Sequence, residues 1–233
     1  DTMIWAEAAN PMLPVAIREQ KTMQMEQEGG LSYLMYVQPA TGEGYQLYQA
    51  AESNPTEWKQ VSLSGFPIEG VCLSQMTYYN KALYVATEAG ALYRSADGQT
   101  WNVVEGTPVI RVLLGEIPAG VRQAAVLTAV AEQEGALVYC VMDEEVQWTM
   151  GDVVPAQFPI SGFSAMSYAS MHYQYLMVVA GRTIDNQLLN TTWTSQNGLT
   201  WAQLGASSKS FSQREGVMMT RYDDQLLLIG GLD

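Results

Sequence analysis

Leu92-Tyr93-Arg94-Ser95-Ala96-Asp97-Gly98-Gln99-Thr100-Trp101 returns, one hundred residues later, as Thr192-Trp193-Thr194-Ser195-Gln196-Asn197-Gly198-Leu199-Thr200-Trp201. In each copy an aromatic residue precedes a polar turn carrying Asp-Gly or Asn-Gly, and Thr-Trp closes it. This is turn chemistry: the Asp or Asn side chain bonds the backbone ahead of it, and the glycine takes the positive φ. A repeated motif implies a repeated supersecondary unit, so the period of the repeat decides the fold.

The strand aromatic can be followed along the chain. Tyr93 and Trp193 are matched by Trp5 in Met3-Ile4-Trp5-Ala6, by Tyr48 in Gln46-Leu47-Tyr48-Gln49 and by Tyr139 in Leu137-Val138-Tyr139-Cys140. A tip tryptophan follows at Trp58, Trp101, Trp148 and Trp201, and Leu13 takes its place in the first copy. Successive strand aromatics lie 43, 45, 46 and 54 residues apart. The 40 residues after Trp193, with the 5 up to Trp5, continue that period across the chain ends. A unit of about 47 residues is the size of a four-stranded propeller blade.

The expected fold is therefore all-β: a five-bladed β-propeller of four-stranded antiparallel blades, with 1–233 as one domain and one blade shared between the N- and C-termini. Inner strands are expected at 21–27, 71–79, 110–115, 163–170 and 217–222, and apolar second strands at 31–37, 82–87, 124–130, 175–180 and 225–229. Period-2 alternation with turn punctuation argues for sheet, and no amphipathic helix is read. The chain starts inside a third strand and stops after a second, so head and tail would complete one sheet and remove its open edges. A longer propeller whose sixth blade is missing is the competing account.

Composition bounds the partners. With 11 Lys and Arg against 24 Asp and Glu, the net charge of −13 argues against nucleic acid and against an anionic membrane surface. Apolar runs such as 175–180 and 226–229 are too short to cross a bilayer as a helix. The chain opens on Asp1 without a leader pattern, which fits a processed or truncated chain. Cys72 and Cys140 fall at different repeat positions and are expected as free, buried thiols, and no Cys/His metal spacing occurs. No metal or cofactor is expected, and the acidic chain is expected to be a monomer.

The Ser95–Trp101 and Ser195–Trp201 stretches resemble the Asp-box (BNR-type) hairpin. Arg214-Glu215-Gly216, then Tyr222-Asp223-Asp224-Gln225-Leu226 leading to Ile229-Gly230-Gly231, resembles a kelch inner hairpin. So does Val179-Ala180-Gly181-Arg182 followed by Asn190-Thr191-Thr192-Trp193. The copies at 52–58 and 143–148 are degenerate. The mixture is similar to exported, uncharacterised propeller proteins of Bacteroides-type bacteria, a resemblance that implies a periplasmic or surface location and no established activity. It also implies a blade-holding role for Asp97, Trp101, Trp193, Asn197, Trp201, Gly230 and Gly231.

Ligands of propellers meet the loops from fourth to first and from second to third strands. Here that face draws on Phe66, Glu69, Arg111, Phe158, Arg182, Phe211, Arg214 and Glu215. Aromatic residues with arginine are the composition of recognition hot spots, although each Phe can equally plug a seam between blades. The arginines can take a carboxylate or acidic sugar, or neutralise neighbouring acids. The expected function is non-enzymatic recognition of a protein or glycan. One alternative is a glycoside hydrolase using Glu69 and Glu215, each just before a glycine. The other is a structural domain of a larger surface protein. His172, the single histidine, has no recognisable nucleophile beside it.

Overall fold

The computed structural model describes residues 16–27, 30–41, 44–120, 124–169, 173–205, 211–222 and 225–233. Trp5, Leu13 and His172, used in the sequence reading, lie outside the described residues. Strands β1 (Ile17–Gln27), β2 (Gly30–Pro39), β3 (Gln46–Ala51) and β4 (Lys59–Val61) form the first antiparallel meander. The second is β5 (Thr77–Tyr79), β6 (Ala82–Ala86), β7 (Leu92–Ser95) and β8 (Asn102–Val103). The third is β9 (Val109–Ile117), β10 (Val126–Gln133), β11 (Ala136–Met142) and β12 (Trp148–Val153). The fourth is β13 (Ser164–Ala169), β14 (Gln174–Val179), β15 (Thr192–Ser195) and β16 (Ala202–Gln203). A hairpin of β17 (Glu215–Tyr222) and β18 (Gln225–Leu232) follows.

The described residues thus hold four four-stranded blades and one two-stranded sheet, where five full blades were expected. The hairpin supplies the first and second strands of that last blade. The strands assigned to its completion fall within 1–15, outside the described residues. The strand expected over 71–79 is also shorter than predicted. Leu73–Gln75 form a 3-10 turn, and only Thr77–Tyr79 pair. Side chains from β1 satisfy that turn: the Ser74 N–H donates to Glu19 Oε1 at 3.1 Å, and Lys21 Nζ donates to the Ser74 carbonyl at 3.3 Å.

The chain divides into two compact units. One holds the described residues up to Val85 together with Tyr93–Val104; the other holds Ala86–Leu92 and the residues from Glu105 onward. In both, the second strand of a blade is apolar without alternation, because it runs through the middle of its sheet with both faces covered. All five residues of β6 are buried, as are five of the eight in β10.

Each unit contains one aromatic cage. In the first, Phe66 stacks on Tyr36 (5.6 Å, 22°) and meets Trp101 (5.1 Å, 84°) and Tyr45 (4.9 Å, 67°) edge to face. In the second, Phe158 meets Tyr139 (5.1 Å), Trp193 (5.4 Å) and Trp201 (5.3 Å) edge to face, and Trp201 stacks on Tyr139 (5.7 Å, 28°). These geometries add to the burial energy of large rings. Phe66 is 8% exposed and Phe158 1%, so neither presents a ring to a ligand, and that part of the predicted recognition face is corrected. Of the two roles weighed for them, the seam plug is the one their burial fits. Phe211, partly buried, packs on Met177, Val179, Ala180 and Val217. Cys140 is buried as expected; Cys72 is half-exposed, and both are free.

Candidate functional site

The two turns that opened the sequence reading have nearly the same bonding. Asp97 Oδ1 accepts from Ser95 Oγ (2.9 Å), Gln99 N (2.8 Å) and Thr100 N (2.7 Å), and Gly98 N donates to Ser95 Oγ (2.8 Å). Asn197 Oδ1 accepts from Ser195 Oγ (3.2 Å) and from Leu199 N and Thr200 N, both at 3.0 Å, with Gly198 N on Ser195 Oγ (2.8 Å). Gly98 and Gly198 have φ of +75° and +74°. Burial alone raises the Asp97 carboxyl, but the N–H groups of Thr100 and Gln99 and the Ser95 hydroxyl outweigh it and hold it below its usual range. These groups build the turn and are spent on it.

Chemistry that faces outward sits at the loop end of the second unit. Ala180 and Gly181 leave β14 with φ of +61° and +92°, a reversal that points the next residue toward neighbouring loops. Backbone bonds then lace three segments together. Gly181 N donates to Arg214 O (2.9 Å), Arg182 N to Ser161 O (2.8 Å), Arg214 N to Leu189 O (3.0 Å) and Gly216 N to Gly162 O (2.8 Å). This lacing brings Arg182 against Glu215, with Nε and Nη2 each 2.7 Å from a different carboxylate oxygen. Arg182 Nη1 donates to the Asn186 carbonyl at 3.1 Å. The paired guanidinium holds the Glu215 carboxyl below its ordinary range, so it is ionised at neutral pH. Gly162 has φ +60°, and a Cβ there would lie 2.9 Å from Glu215 Cβ, so glycine is what admits the carboxylate.

Arg214 is held differently. Its Nη1 donates to the Gly230 carbonyl (2.9 Å), Nε to the Ser212 carbonyl (3.2 Å) and Nη2 to Ser212 Oγ. No carboxylate among the described residues lies within ion-pair distance of it. Gly230 and Gly231, with φ of +72° and +95°, bend the end of β18 around this side chain. A Cβ on Gly231 would stand 3.1 Å from Arg214 Cδ.

Arg111 is a second neutralised cation. Its Nε donates to Glu132 Oε2 at 3.0 Å, Nη2 contacts the same oxygen, and Nη1 donates to the Glu88 carbonyl at 3.2 Å. Both Arg111 and Arg182 therefore tie a loop carbonyl to a carboxylate. Glu69 is exposed on a loop of the first unit, and the structure brings Arg182, Phe211, Arg214 and Glu215 together in the second. Among the described residues no cluster of three or more His, Cys, Asp or Glu is placed to hold a metal ion, and no helix is long and apolar enough to cross a membrane. The sequence reading missed a tyrosine-lined cleft at the other end of β13 and β14. Its signal was there: Tyr168 and Tyr175 flank one hairpin turn at positions that pair.

A family model described as the DUF6242 beta propeller domain matches residues 1–233. No curated protein matches the sequence. Among solved structures, "Structure of YjhT" is similar over 95% of this chain and 74% of that one, with a TM-score of 0.59 at 11% identity. A thermostable family-43 glycoside hydrolase gives a TM-score of 0.48 at 11% identity, over 92% of this chain and 84% of that one. The six-bladed fucose-recognising lectin of Aleuria aurantia gives 0.47 at 14% identity, over 86% and 66%. Likeness at such identity concerns the fold alone.

Proposed function

The chain belongs to the DUF6242 beta propeller domain family, and from that premise we propose that it is a recognition module which takes a carboxylate-bearing protein or glycan at its loop end. The observation that carries this reading is Arg214. Three of its N–H donors are held by neutral acceptors, Gly230 and Ser212, beside an Arg182–Glu215 pair that already balances itself. Neutral acceptors orient a guanidinium without cancelling its charge. A guanidinium has five N–H donors in a fixed fork, so two remain for an incoming acceptor. Pre-ordering reduces the entropy lost on binding.

The test is an array of acidic and neutral glycans together with acidic peptides, probed with the whole chain. Saturable binding to carboxylate-bearing members, weakened at least tenfold in Arg214→Ala, supports the reading. Binding that Arg214→Ala leaves intact removes it.

The hydrolase alternative makes a sharper demand of Glu215. Its Arg182 partner keeps it deprotonated, which suits a nucleophile or base and not a general acid, so Glu69 would have to be the acid. Turnover of chromogenic glycosides that disappears in both Glu215→Gln and Glu69→Gln would replace the recognition reading. Failure of both assays favours a structural domain of a larger surface protein.

The same reading includes a ring closed by the chain ends. The β17–β18 hairpin exposes Met218, Ile229 and Leu232, an apolar sheet with only two strands, and 3–6 stands at the repeat distance to extend it. Removing 1–15 should then lower the melting temperature and expose dye-binding apolar surface; an unchanged melt overturns the closure.

A further inference from the structure

At the end of the second unit opposite Arg182 and Glu215, Tyr168 on β13 pairs directly across from Tyr175 on β14. Residues so paired share one face of the sheet, and these two rings stack at 4.9 Å and 18°. The Arg221 guanidinium lies 5.2 Å from the centroid of the Tyr168 ring. Together with Tyr173, Gln225 and Leu226 these residues line a cleft of about 480 Å³, within the range that accommodates one or two sugar rings. Arg221 lies six residues beyond Glu215 along β17, so about 20 Å of strand separates this cleft from the loop end.

The lining chemistry narrows the ligand. Tyr173 is 61% exposed, a large amphipathic ring whose apolar face gains from being covered. The Tyr175 phenol is pushed up by burial and by neighbouring Tyr168, so it is a neutral hydroxyl able to donate and accept. Gln225 adds an amide, with two donors and an acceptor. Arg221 carries the one formal charge among the described lining residues, and a guanidinium laid on a ring keeps its N–H groups at its own edge, suited to a carboxylate. An aromatic acid would satisfy the rings and the cation but leave the hydroxyls and the amide unused. A sugar acid uses all of them.

We propose that this cleft binds an acidic saccharide of the hexuronic acid type. One C–H face of the pyranose lies on Tyr173, its carboxylate meets Arg221, and its hydroxyls bond Tyr175 and Gln225. The site is independent of the loop end and stands whether or not Arg214 binds anything.

Calorimetric titration of the whole chain with trigalacturonic acid, and with galactotriose as the uncharged counterpart, tests the proposal. The acid should bind saturably and the neutral sugar at least tenfold more weakly. Arg221→Gln should weaken the acid at least tenfold, Tyr173→Ala should abolish its binding, and Arg214→Ala should leave it unchanged. Tyr173 is largely in solvent, so its replacement should keep the melting temperature of the parent. Amide shifts in the unsubstituted chain give a check without mutation, and those caused by the acid should cluster at Tyr168, Tyr173–Tyr175 and Arg221–Leu226. No saturation by the acid, equal binding of both sugars, full binding by Tyr173→Ala, or shifts centred on Arg214 each overturns the proposal.

Discussion

The Tyr36 hydroxyl donates to the carbonyl of Gly98 at 2.5 Å, so the tip of the second blade's Asp97 turn is fastened to the central strand of the first blade. Gly98 is also the only residue type that fits there. Its φ is +75°, and a Cβ would come within 2.2 Å of the buried Leu34 Cδ1. Tyr36→Phe leaves a buried carbonyl without its donor and should cost about 1–3 kcal/mol. Gly98→Ala adds steric and left-handed strain and should cost more. Chemical denaturation of the two variants checks the order, and equal losses would show that the hydroxyl, not the space, governs the joint.

Asp97 and Asn197 perform the same task with different charge, which yields a pH prediction. The folded-state pKa of Asp97 lies below its ordinary 3.8. Its contribution is therefore complete above that ordinary value and is lost as pH falls through the lower folded-state value. Asp97→Asn should keep most of the bonds, as Asn197 does at 3.0 Å, and should lose less stability between neutral pH and about pH 3 than the parent. Asp97→Ala removes the acceptor for two turn N–H groups and should cost about 1–3 kcal/mol at neutral pH. Thermal melts across that range decide; an Asn variant as acid-sensitive as the parent would falsify the assignment.

What was legible in the sequence follows from what each signal depends on. The second strands were read within a few residues because their burial on both faces forces unbroken apolar runs, as in Ala82–Ala86. Turns were legible because Asp97-Gly98 and Asn197-Gly198 carry their bonding partners within four residues. The Leu73–Gln75 turn was not, since Glu19 and Lys21, more than fifty residues away, satisfy its backbone. The roles of Phe66 and Phe158 stayed open for the same reason: loop position is local, whereas burial depends on Trp101 and Trp201 arriving from other strands. The arginines were correctly singled out as charges, but their partners, such as Glu132 for Arg111, are set by register between strands.

Two glycines with nearly the same φ separate strain from space. Gly65 (φ +67°) would place a Cβ 2.2 Å from the Trp101 carbonyl oxygen, whereas Gly106 (φ +72°) has nothing within 4 Å. Gly106→Ala should cost only the left-handed penalty of about 1–2 kcal/mol. Gly65→Ala must also displace backbone that exchanges hydrogen bonds between Ser64 and Trp101, so it should lose clearly more. Urea midpoints measure both, and matching midpoints would remove the steric part of the account.

The two thiols should differ in reactivity. Burial pushes Cys140 up to about 12, and its Sγ donates to the Ala129 carbonyl at 3.6 Å. Cys72 is half-exposed, with Ser74 Oγ 2.9 Å away. Thiolate and access together set reaction rates, so a maleimide should label Cys72 in the native protein and reach Cys140 only on unfolding. Peptide mapping reads the site, and native labelling of Cys140 at the rate of Cys72 would contradict its burial.

Phe158 offers a last test, of whether scarce aromatics on loops serve recognition or packing. Its ring touches Tyr139, Trp193 and Trp201 and is almost wholly removed from solvent. Truncation to Ala leaves a cavity among rings that cannot close over it, at a cost of about 3–5 kcal/mol. Phe211→Ala should cost less, because that ring is only partly buried against a smaller aliphatic cluster. Phe158→Leu keeps most of the volume and should leave any ligand affinity at the parent value while lowering the melting temperature. A Leu variant that melts like the parent yet binds more weakly would return Phe158 to the recognition surface.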